Sequence, residues 1–455
     1  MSASSTDTAT ARHPALRLLC DTIEAEATAD GARVALTGNG GVVTYGELHA
    51  ALPPGSAAEA RRHSLTISGT VQDLVRLLQE GCAGHSTLLH DIAGTEWELA
   101  RTRRVFDEGG AGPGLPVLGL CTSGTNGLPK VVEVDWESAL ANAASFARAA
   151  GFRTDDVIWV TTPLHHLYGL FAGVMAGLLA GSTVLVTSGA IGPQEFSEHL
   201  TADGVSVLVC VPFLARQYLQ ELRRQRDQAP ARRLRSTIAA GEMVPEDLIA
   251  AWREATGTPL LSHYGITESG HVTLAEGRTG EGVGRILPDV EVRIDGHGLV
   301  EVRRRAPGRP YNVIGHPGEP DGWFATGDQG HFDAAGNLHL TGRASERINV
   351  GGKKVDPTEV EQALLATGAV GDCAVAGVRR GNGEQVIAFV TGADARPDVE
   401  LRAELGRLLS TWKLPRRFVR VPRIPRSLTG KVRRGQLVAE FESAASTEQR
   451  EESDQ

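Results

Sequence analysis

The sequence predicts an α/β protein with a large N-terminal region and a small C-terminal region. Between residues 117 and 226, short apolar strands alternate with helices, which is typical of a largely parallel sheet covered by helices. Beyond Gly282 the pattern changes to short strands separated by Gly and Asp turns, which indicates a small β unit, and a smaller α/β unit follows Arg343. The predicted divisions are domains at 1–342 and 343–441 and a disordered polar tail at 442–455.

The individual elements follow from local patterns. Residues 33–44 are predicted to form a β-hairpin, because Gly38 to Gly41 supply a turn between two apolar runs. Apolar residues spaced three and four apart predict helices, and short apolar runs bounded by turn residues predict strands. The helices are predicted from Tyr45 onward and at 70–80, 137–150, 193–203 and 214–226, and the strands at 64–67, 117–121, 131–134, 157–161, 183–187 and 205–211, with a flexible connection at 105–116.

One apolar segment raises the question of a membrane helix. Leu167 to Val186 carries no charged residue, and its glycines lie four residues apart. Gly181 and Ser182 stop the helix, so it is about 14 residues and about 21 Å long, whereas the hydrocarbon layer of a bilayer is about 30 Å thick. We predict a buried helix that packs along its glycine face and is followed by a core strand, and no membrane span.

The composition of the chain excludes several classes of protein. The 455 residues carry a formal net charge of −9, which disfavours general nucleic-acid binding because such binding depends on basic patches. The five cysteines are scattered and form no C-x-x-C pair, which argues against a disulfide framework or a zinc site. The N-terminal residues are polar and lack the apolar core of a signal peptide. We therefore expect a cytoplasmic protein.

Lysine is rare in this chain. Among the 46 basic residues, the lysines are Lys130, Lys353, Lys354, Lys413 and Lys431. A codon bias toward arginine explains the rarity. The functional interpretation is that lysine remains where a compact ammonium is needed and a guanidinium fork does not fit.

A loop of small residues follows the predicted strand at 117–121. It reads Thr122-Ser123-Gly124-Thr125-Asn126-Gly127 and closes on Pro129 and Lys130. Small residues let backbone N–H groups approach a polyphosphate, while hydroxyls and a lysine add donors and positive charge. Neither the Walker A pattern nor G-x-G-x-x-G occurs in the sequence, so the loop belongs to neither of those nucleotide-binding motifs.

This loop resembles the T-S-G-T-T-G-x-P-K phosphate loop of the adenylate-forming superfamily, which includes acyl- and aryl-CoA ligases, nonribosomal adenylation domains and luciferases. Four further matches follow in the order of that family. They are Tyr264-Gly265-Ile266-Thr267-Glu268, the W-x-x-T-G-D run from Trp323 to Asp328, the hinge segment from Gly342 to Glu361, and the P-x-x-x-x-G-K run from Pro425 to Lys431. Five motifs in this order are a specific signal. They span residues 122 to 431, so the chain resembles a compact CoA ligase over nearly its whole length.

The resemblance implies two half-reactions. A carboxylate attacks the α-phosphate of ATP, which gives an acyl-adenylate and pyrophosphate, and a thiol of coenzyme A or of a carrier-protein phosphopantetheine then displaces AMP. It also implies Mg²⁺, a small carboxylic acid substrate and a C-terminal domain that moves between the two steps. The stretch before the phosphate loop and the interval from Glu268 to Asp328 are short for the family, which suggests a ligase of secondary metabolism.

The resemblance assigns roles to the nucleotide-binding residues. Thr267 would contact the α-phosphate and Glu268 would ligate Mg²⁺, which prefers carboxylate oxygen. Tyr264 would stack on adenine next to Gly265. The residues that would hold the other phosphates are Thr122, Ser123, Gly124, Thr125, Asn126, Gly127 and Lys130, and those that would bind the ribose hydroxyls are Asp328 and Arg343.

The remaining assignments concern the acid and the thiol. Lys431 would bridge the carboxylate and the α-phosphate during adenylation. Gly351 and Gly352 would line the thiol tunnel, and His166 is predicted to lie beside that tunnel or the acyl pocket. At the hinge, Ser345 stands where the family usually has Asp or Lys.

Other functions stay open at this level. The first is an adenylating enzyme with another acceptor, such as a carrier protein, an amine or an inorganic nucleophile. Measuring AMP release with each acceptor distinguishes this enzyme from a CoA ligase. The second is a nucleotide-binding pseudoenzyme, against which the intact motif residues argue. Small aryl, short acyl and β-substituted acids all remain candidate substrates. Glu242 and His271 are polar residues in the segments predicted to line the acid pocket.

Overall fold

A computed structural model describes the protein at residues 14–53, 60–91, 96–109, 116–122, 130–187, 191–224, 233–305, 311–314, 321–343, 346–350, 353–380, 383–392, 397–427 and 432–453. The chain divides into two compact units. The first comprises Met1–Arg293, Glu301–Thr326 and Phe332–His339, and the second comprises Ile294–Val300, Gly327–His331 and Leu340–Gln455.

The described residues of the two units form strands and helices. In chain order the strands are β1 (Val34–Gly38), β2 (Gly41–Thr44), β3 (Arg62–Ile67), β4 (Ser86–Asp91), β5 (Val117–Thr122), β6 (Lys130–Asp135), β7 (Val157–Val160), β8 (Thr183–Val186), β9 (Val207–Cys210), β10 (Ser236–Ala239), β11 (Leu260–Ile266), β12 (Gly270–Leu274), β13 (Arg285–Ile286), β14 (Val290–Ile294), β15 (Leu299–Arg304), β16 (Asn312–Val313), β17 (Phe324–Phe332), β18 (Leu338–Arg343), β19 (Ile348–Val350), β20 (Lys353–Val355), β21 (Asp372–Arg380), β22 (Gly383–Thr391) and β23 (Arg417–Arg420). The helices are α1 (Arg17–Asp30), α2 (Tyr45–Ala51), α3 (Val71–Cys82), α4 (Glu96–Glu108), α5 (Trp136–Ala149), α6 (Ala176–Leu179), α7 (Pro193–Ala202), α8 (Pro212–Arg224), α9 (Glu246–Thr256), α10 (Pro357–Ala366), α11 (Asp398–Leu405) and α12 (Arg434–Ser453), with a π-helix at Tyr168–Met175 and 3₁₀ turns at Pro14–Leu16 and Thr411–Lys413.

Two sheets form the centre of the first unit. The larger has nine strands among the described residues, in the order β13-β12-β11-β10-β9-β7-β8-β1-β2. Its central strands from β11 to β1 run parallel, and the strands at its two ends pair antiparallel. The second sheet, in the order β16-β6-β5-β4-β3, is parallel from β3 to β5 and antiparallel at β5–β6 and β6–β16. The predicted α/β class with a largely parallel sheet is therefore confirmed.

Most of the predicted elements occur within a few residues of their expected ends. The β1–β2 hairpin has Gly38, Gly40 and Gly41 at positive φ, as its short turn requires. The flexible connection predicted at 105–116 is wrong in its first part, because α4 continues to Glu108. The buried side chain of Phe106 anchors that helix in a cluster with Leu88, which the local sequence does not reveal.

The glycine-rich helix is buried as predicted, but its first part is a π-helix. All residues from Gly169 to Met175 are buried. A Cβ on Gly173 would lie 2.6 Å from Val160 and one on Gly177 would lie 2.7 Å from Val184, so the glycine face packs directly on the sheet. Of the helices that the structure describes, none is both long and apolar enough to cross a membrane.

The second unit has its own core. Strands β21, β22 and β23 form a sheet, and apolar side chains from α10 and α11 cover one of its faces. Lys413 binds Glu359, the Nζ–Oε2 distance being 2.7 Å, so the lysine without a motif has a structural role in this unit. The predicted disorder at 442–455 is corrected in its larger part, because α12 continues to Ser453. Ala, Glu, Gln and Arg in this segment are good helix formers, which outweighs its polarity.

Candidate active site

Strands β5 and β6 hold the two ends of the predicted phosphate loop. They pair antiparallel, and Thr122 lies opposite Lys130 at the last pair before the loop. Within the described chain, the Lys130 ammonium makes no ion pair or hydrogen bond, so its positive charge is not neutralised by a neighbouring residue there. The loop residues Ser123, Gly124, Thr125, Asn126 and Gly127 lie outside the described residues, so their predicted phosphate contacts stay predictions.

The Tyr264–Glu268 motif occupies one strand and the turn of a hairpin. Tyr264 and Gly265 lie near the end of β11, which runs to Ile266, and Gly265 lies opposite His271 on β12. Tyr264 is buried, whereas Thr267 and Glu268 in the turn are half-buried. Among the described residues, neither turn side chain has a hydrogen bond or ion pair, which leaves a hydroxyl and a carboxylate for a ligand.

The turn carboxylate fits the requirements of Mg²⁺. This ion commonly binds through one or two carboxylates, with substrate phosphates and water completing its coordination. The described residues contain no group of three or more His, Cys, Asp or Glu that would enclose a metal by protein ligands alone. A carboxylate such as Glu268, which has no partner within the described parts of the chain, is therefore suited to a metal that arrives with a nucleotide.

A cluster of four rings connects this hairpin with two other elements. His263 of β11 lies 4.9 Å from Phe146 of α5, 5.3 Å from Tyr168 of the π-helix and 5.0 Å from His271 of β12, measured between ring centroids. His263 Nδ1 donates to the Thr273 carbonyl at 2.8 Å, so His263 Nε2 accepts from His271 Nδ1 at 3.1 Å. The predicted pocket residue His271 is thus a buried member of this cluster.

His166 follows the strand β7 and precedes the π-helix. Its ring centroid lies 4.2 Å from that of His165, and His165 Nε2 lies 3.8 Å from a carboxylate oxygen of Asp91 at the end of β4. Burial, assisted by the neighbouring His165, lowers the pKa of His166 to about 3. His166 is therefore neutral at physiological pH, so any role it has there is that of a neutral hydrogen-bonding or packing group.

The buried histidines make folding stability depend on pH. Burial lowers the pKa of His263 to about 4 and holds that of His271 well below its usual value. The unfolded chain therefore binds more protons between pH 4 and 6.5, and stability rises with pH there. We expect the free energy of unfolding to fall when the pH is lowered from 7 to 5, with about 2 kcal/mol from His263 alone.

Denaturant unfolding at the two pH values measures this effect. In the variant His263→Asn, the difference in unfolding free energy between pH 7 and pH 5 should shrink by about the same 2 kcal/mol. Equal stability of the unmodified protein at both pH values would contradict the expectation.

Asp328 and Arg343 form an ion pair in the second unit. Arg343 Nε donates to Asp328 Oδ1 at 2.9 Å, and the two residues lie on β17 and β18. Asp328 is buried, so its carboxylate has little contact with water, and the hydrogen bond from the guanidinium compensates for the lost hydration. The two predicted ribose ligands are thus brought together. Gly351, Gly352, Ser345 and Lys431 lie outside the described residues, and their roles stay predictions.

Sequence reasoning missed the residues that support the hairpin. Asn142 of α5 is buried and hydrogen-bonded to the backbone of His271, and Asp289 accepts a hydrogen bond from the same side chain. The sequence carried one signal for this contact. Asn142 is the only amide in the alanine-rich helical run from Leu140 to Ala144, and a polar side chain that is buried in such a helix needs a hydrogen-bond partner elsewhere.

Comparison with known families agrees with the motifs. Residues 71–311, more than half of the chain, match the family described as AMP-binding enzyme. Residues 359–431 match the AMP-binding enzyme C-terminal domain.

Several characterised relatives share part of this sequence. The chain is 28% identical to 3-hydroxybenzoate–CoA ligase of Aromatoleum sp. (strain CIB), over 70% of this chain and 64% of that protein. It is 29% identical to sulfoacetate–CoA ligase of Cupriavidus necator, over 72% and 67%. It is 32% identical to indoleacetate–CoA ligase of Aromatoleum aromaticum, over 72% and 68%. The matched parts thus span about two thirds of these relatives.

Solved structures share the fold over nearly the whole chain. ATP-bound MatB from Rhodopseudomonas palustris has a TM-score of 0.78 at 22% identity, covering 93% of this chain and 99% of that one. The o-succinylbenzoate CoA synthetase MenE from Bacillus subtilis, in complex with ATP and magnesium, has a TM-score of 0.77 at 21% identity, covering 91% and 98%. At these identities the likeness shows the fold alone.

Proposed function

The chain belongs to the family of AMP-binding enzymes, and we propose that it activates a small carboxylic acid with ATP and transfers the acyl group to a thiol. One observation supports this most directly. Lys130, Thr267 and Glu268 are residues predicted to bind phosphate and metal, and within the described residues their side chains have no protein partner. Charges elsewhere are commonly paired, as in Lys413 with Glu359 and Arg434 with Glu361. Unpaired charges of opposite sign suit a site for a metal–polyphosphate ligand.

Each residue has a proposed part in adenylation. Lys130 binds the outer phosphates by charge, together with the small residues from Thr122 to Gly127. Thr267 holds an α-phosphate oxygen, and Glu268 holds Mg²⁺. When bound, Mg²⁺ neutralises phosphate charge and makes the phosphorus more electrophilic. Lys431 attracts the carboxylate toward the α-phosphate, so that two anions can meet.

The nucleoside is proposed to bind through the residues predicted to contact adenine and ribose. Tyr264 and Gly265 form the adenine-binding segment, and Asp328 accepts hydrogen bonds from the ribose hydroxyls. Arg343 orients the Asp328 carboxylate through its Nε–Oδ1 contact. The domain division at residue 342/343 belongs to this proposal, because the smaller domain would move between the two half-reactions.

Coenzyme A is the proposed thiol. The relatives named above are CoA ligases, which favours CoA over a carrier-protein phosphopantetheine. Gly351 and Gly352 are proposed to line the thiol tunnel, where a side chain would obstruct pantetheine, and His166 contributes a neutral ring near the acyl group. A cytoplasmic location and a role in secondary metabolism complete the proposal.

A pyrophosphate-release screen tests this function. The purified protein is incubated with ATP, Mg²⁺ and a library of aryl, short acyl and β-substituted acids, with and without CoA. We expect acid-dependent pyrophosphate release, and an acyl-CoA product with at least one acid. Acid-dependent AMP release that proceeds equally without CoA would favour another acceptor, and no response to any acid would favour the pseudoenzyme.

A further inference from the structure

Asn142 connects the strand that begins at Lys130 with the hairpin that carries Thr267 and Glu268. Strand β6 leads directly into helix α5, and the Asp135 carboxylate at their junction accepts a hydrogen bond from the Ser138 N–H at 2.9 Å. This cap fixes where the helix begins relative to the strand. Asn142 lies two turns along the helix, where a 3.6-residue repeat fixes the direction of its side chain.

The Asn142 side chain pairs with the backbone of one hairpin residue in both directions. Its Oδ1 accepts from the His271 N–H at 2.7 Å, and its Nδ2 donates to the His271 carbonyl at 3.0 Å. Nδ2 also donates to Asp289 Oδ2 at 2.9 Å. The side chain is 1% exposed, so each of these bonds forms away from competing water.

The neighbouring glycine shows how closely the turn approaches this amide. Gly270 has φ +88°, and a Cβ there would lie 2.6 Å from Asn142 Oδ1. Ser269 closes the turn by donating its N–H to the Ile266 carbonyl at 3.1 Å. The turn from Thr267 to Ser269 is therefore short and closed, and the two residues that follow it, Gly270 and His271, lie against Asn142.

Charged groups surround this contact as well. Asp289 lies 3.7 Å from the Arg304 guanidinium, measured from Oδ2 to Nη2, and the same guanidinium lies 4.9 Å from the Tyr311 ring centroid. An amide fits between Asp289 and the His271 carbonyl because it donates to both, whereas a carboxylate would face two acceptors. The environment therefore selects an amide by its hydrogen-bonding pattern.

We propose that Asn142 is a positioning residue for adenylation, which holds the Thr267–Glu268 turn in register with the strand that begins at Lys130. The inference rests on the proposed function, in which Lys130 and Glu268 bind one magnesium–nucleotide ligand. A shift of the turn would separate the metal ligand from the phosphate-binding lysine. Binding of Mg²⁺·ATP should then weaken more than binding of the acid.

Three variants of the full chain test this proposal. Asn142→Asp keeps the size of the side chain and the acceptor Oδ1 but removes the Nδ2 donor. In Asn142→Ser the shorter side chain cannot extend to the His271 backbone. Ser145→Ala is the matched control, because Ser145 lies on the same helix, is equally buried and has no hydrogen-bond partner among the described residues. The primary measurement is the Kd of Mg²⁺·ATP by calorimetry, which needs no knowledge of the acid.

We expect the Kd of Mg²⁺·ATP to rise at least about tenfold in both Asn142 variants and to stay within about twofold in the control. With an accepted acid, the KM for ATP should rise in the same way and the KM for the acid should change little. Unchanged Kd values, or equal increases in both KM values, would overturn the proposal. So would a failure of both Asn142 variants to fold while Ser145→Ala folds, because Asn142 would then serve folding alone.

The same experiment separates this inference from the function on which it rests. If the unmodified protein binds Mg²⁺·ATP but releases no pyrophosphate with any acid, the proposed function fails. The comparison of Kd values still decides the role of Asn142 in that case. If the unmodified protein does not bind Mg²⁺·ATP, both proposals are wrong.

Discussion

Replacing Lys431 with alanine should abolish acid-dependent ATP–pyrophosphate exchange, with a loss of at least about 100-fold. Adenylation brings a carboxylate against a phosphate, and both are anionic. An ammonium between them offsets the repulsion most strongly in the transition state, where the new P–O bond forms. Thioester formation from supplied acyl-adenylate should be largely spared, because that half-reaction no longer needs the two anions to meet.

Lys413 provides the control for this experiment. It belongs to the same unit and is one of the few lysines, but its Nζ binds Glu359 at 2.7 Å. Lys413→Ala should reduce stability slightly and leave exchange close to that of the unmodified protein. Full exchange activity in Lys431→Ala would show that another group supplies the charge, and the assignment of Lys431 would be lost.

Replacing Glu268 with glutamine should lower the exchange rate about 100-fold and raise the Mg²⁺ concentration needed for half-maximal rate. The amide matches the carboxylate in size, so the hairpin turn keeps its shape. It lacks the negative charge, however, and binds a hard cation much more weakly. Initial rates measured across a Mg²⁺ titration at constant free ATP separate the two effects.

Glu276→Gln is the matched control for Glu268. Glu276 lies just beyond β12, is largely exposed and pairs with Arg278 at 2.7 Å. Loss of a surface ion pair changes stability by about 1 kcal/mol or less. The Mg²⁺ dependence should therefore stay unchanged in Glu276→Gln. An unchanged Mg²⁺ dependence in Glu268→Gln as well would remove Glu268 from the metal site.

The two predictions concern different parts of the reaction, namely binding of the metal–nucleotide ligand and the adenylation step. Glu268 should affect every step that needs the metal–nucleotide ligand, including its binding. Lys431 should affect adenylation while nucleotide binding remains. A comparison of Mg²⁺·ATP affinity in the two variants therefore distinguishes loss of the ligand from loss of the reaction.

The order of short motifs was sufficient to identify the family. Glycine, proline, hydroxyl and charged residues in these motifs interact directly with a shared ligand, so their local spacing carries the information. The elements β1–β2, α3, β6 and α5 were likewise predictable, since their apolar periodicity depends on neighbours a few residues away. The end of helix α4 was not predictable, because it depends on the burial of Phe106 against distant residues. The helical tail was not predictable either, because the helix propensity of its residues outweighs their polarity.

Local patterns by themselves thus determined the fold class, the family and the residue types proposed to contact nucleotide, while the tertiary structure decided how those residues are supported. The pairing of Lys413 with Glu359, the ring cluster around His263 and the antiparallel order of β5 and β6 became visible only in three dimensions. The Asn142–His271 contact joins residues 129 positions apart. A hydrogen bond of that kind depends on how two distant elements pack, and no periodicity within either element encodes its partner.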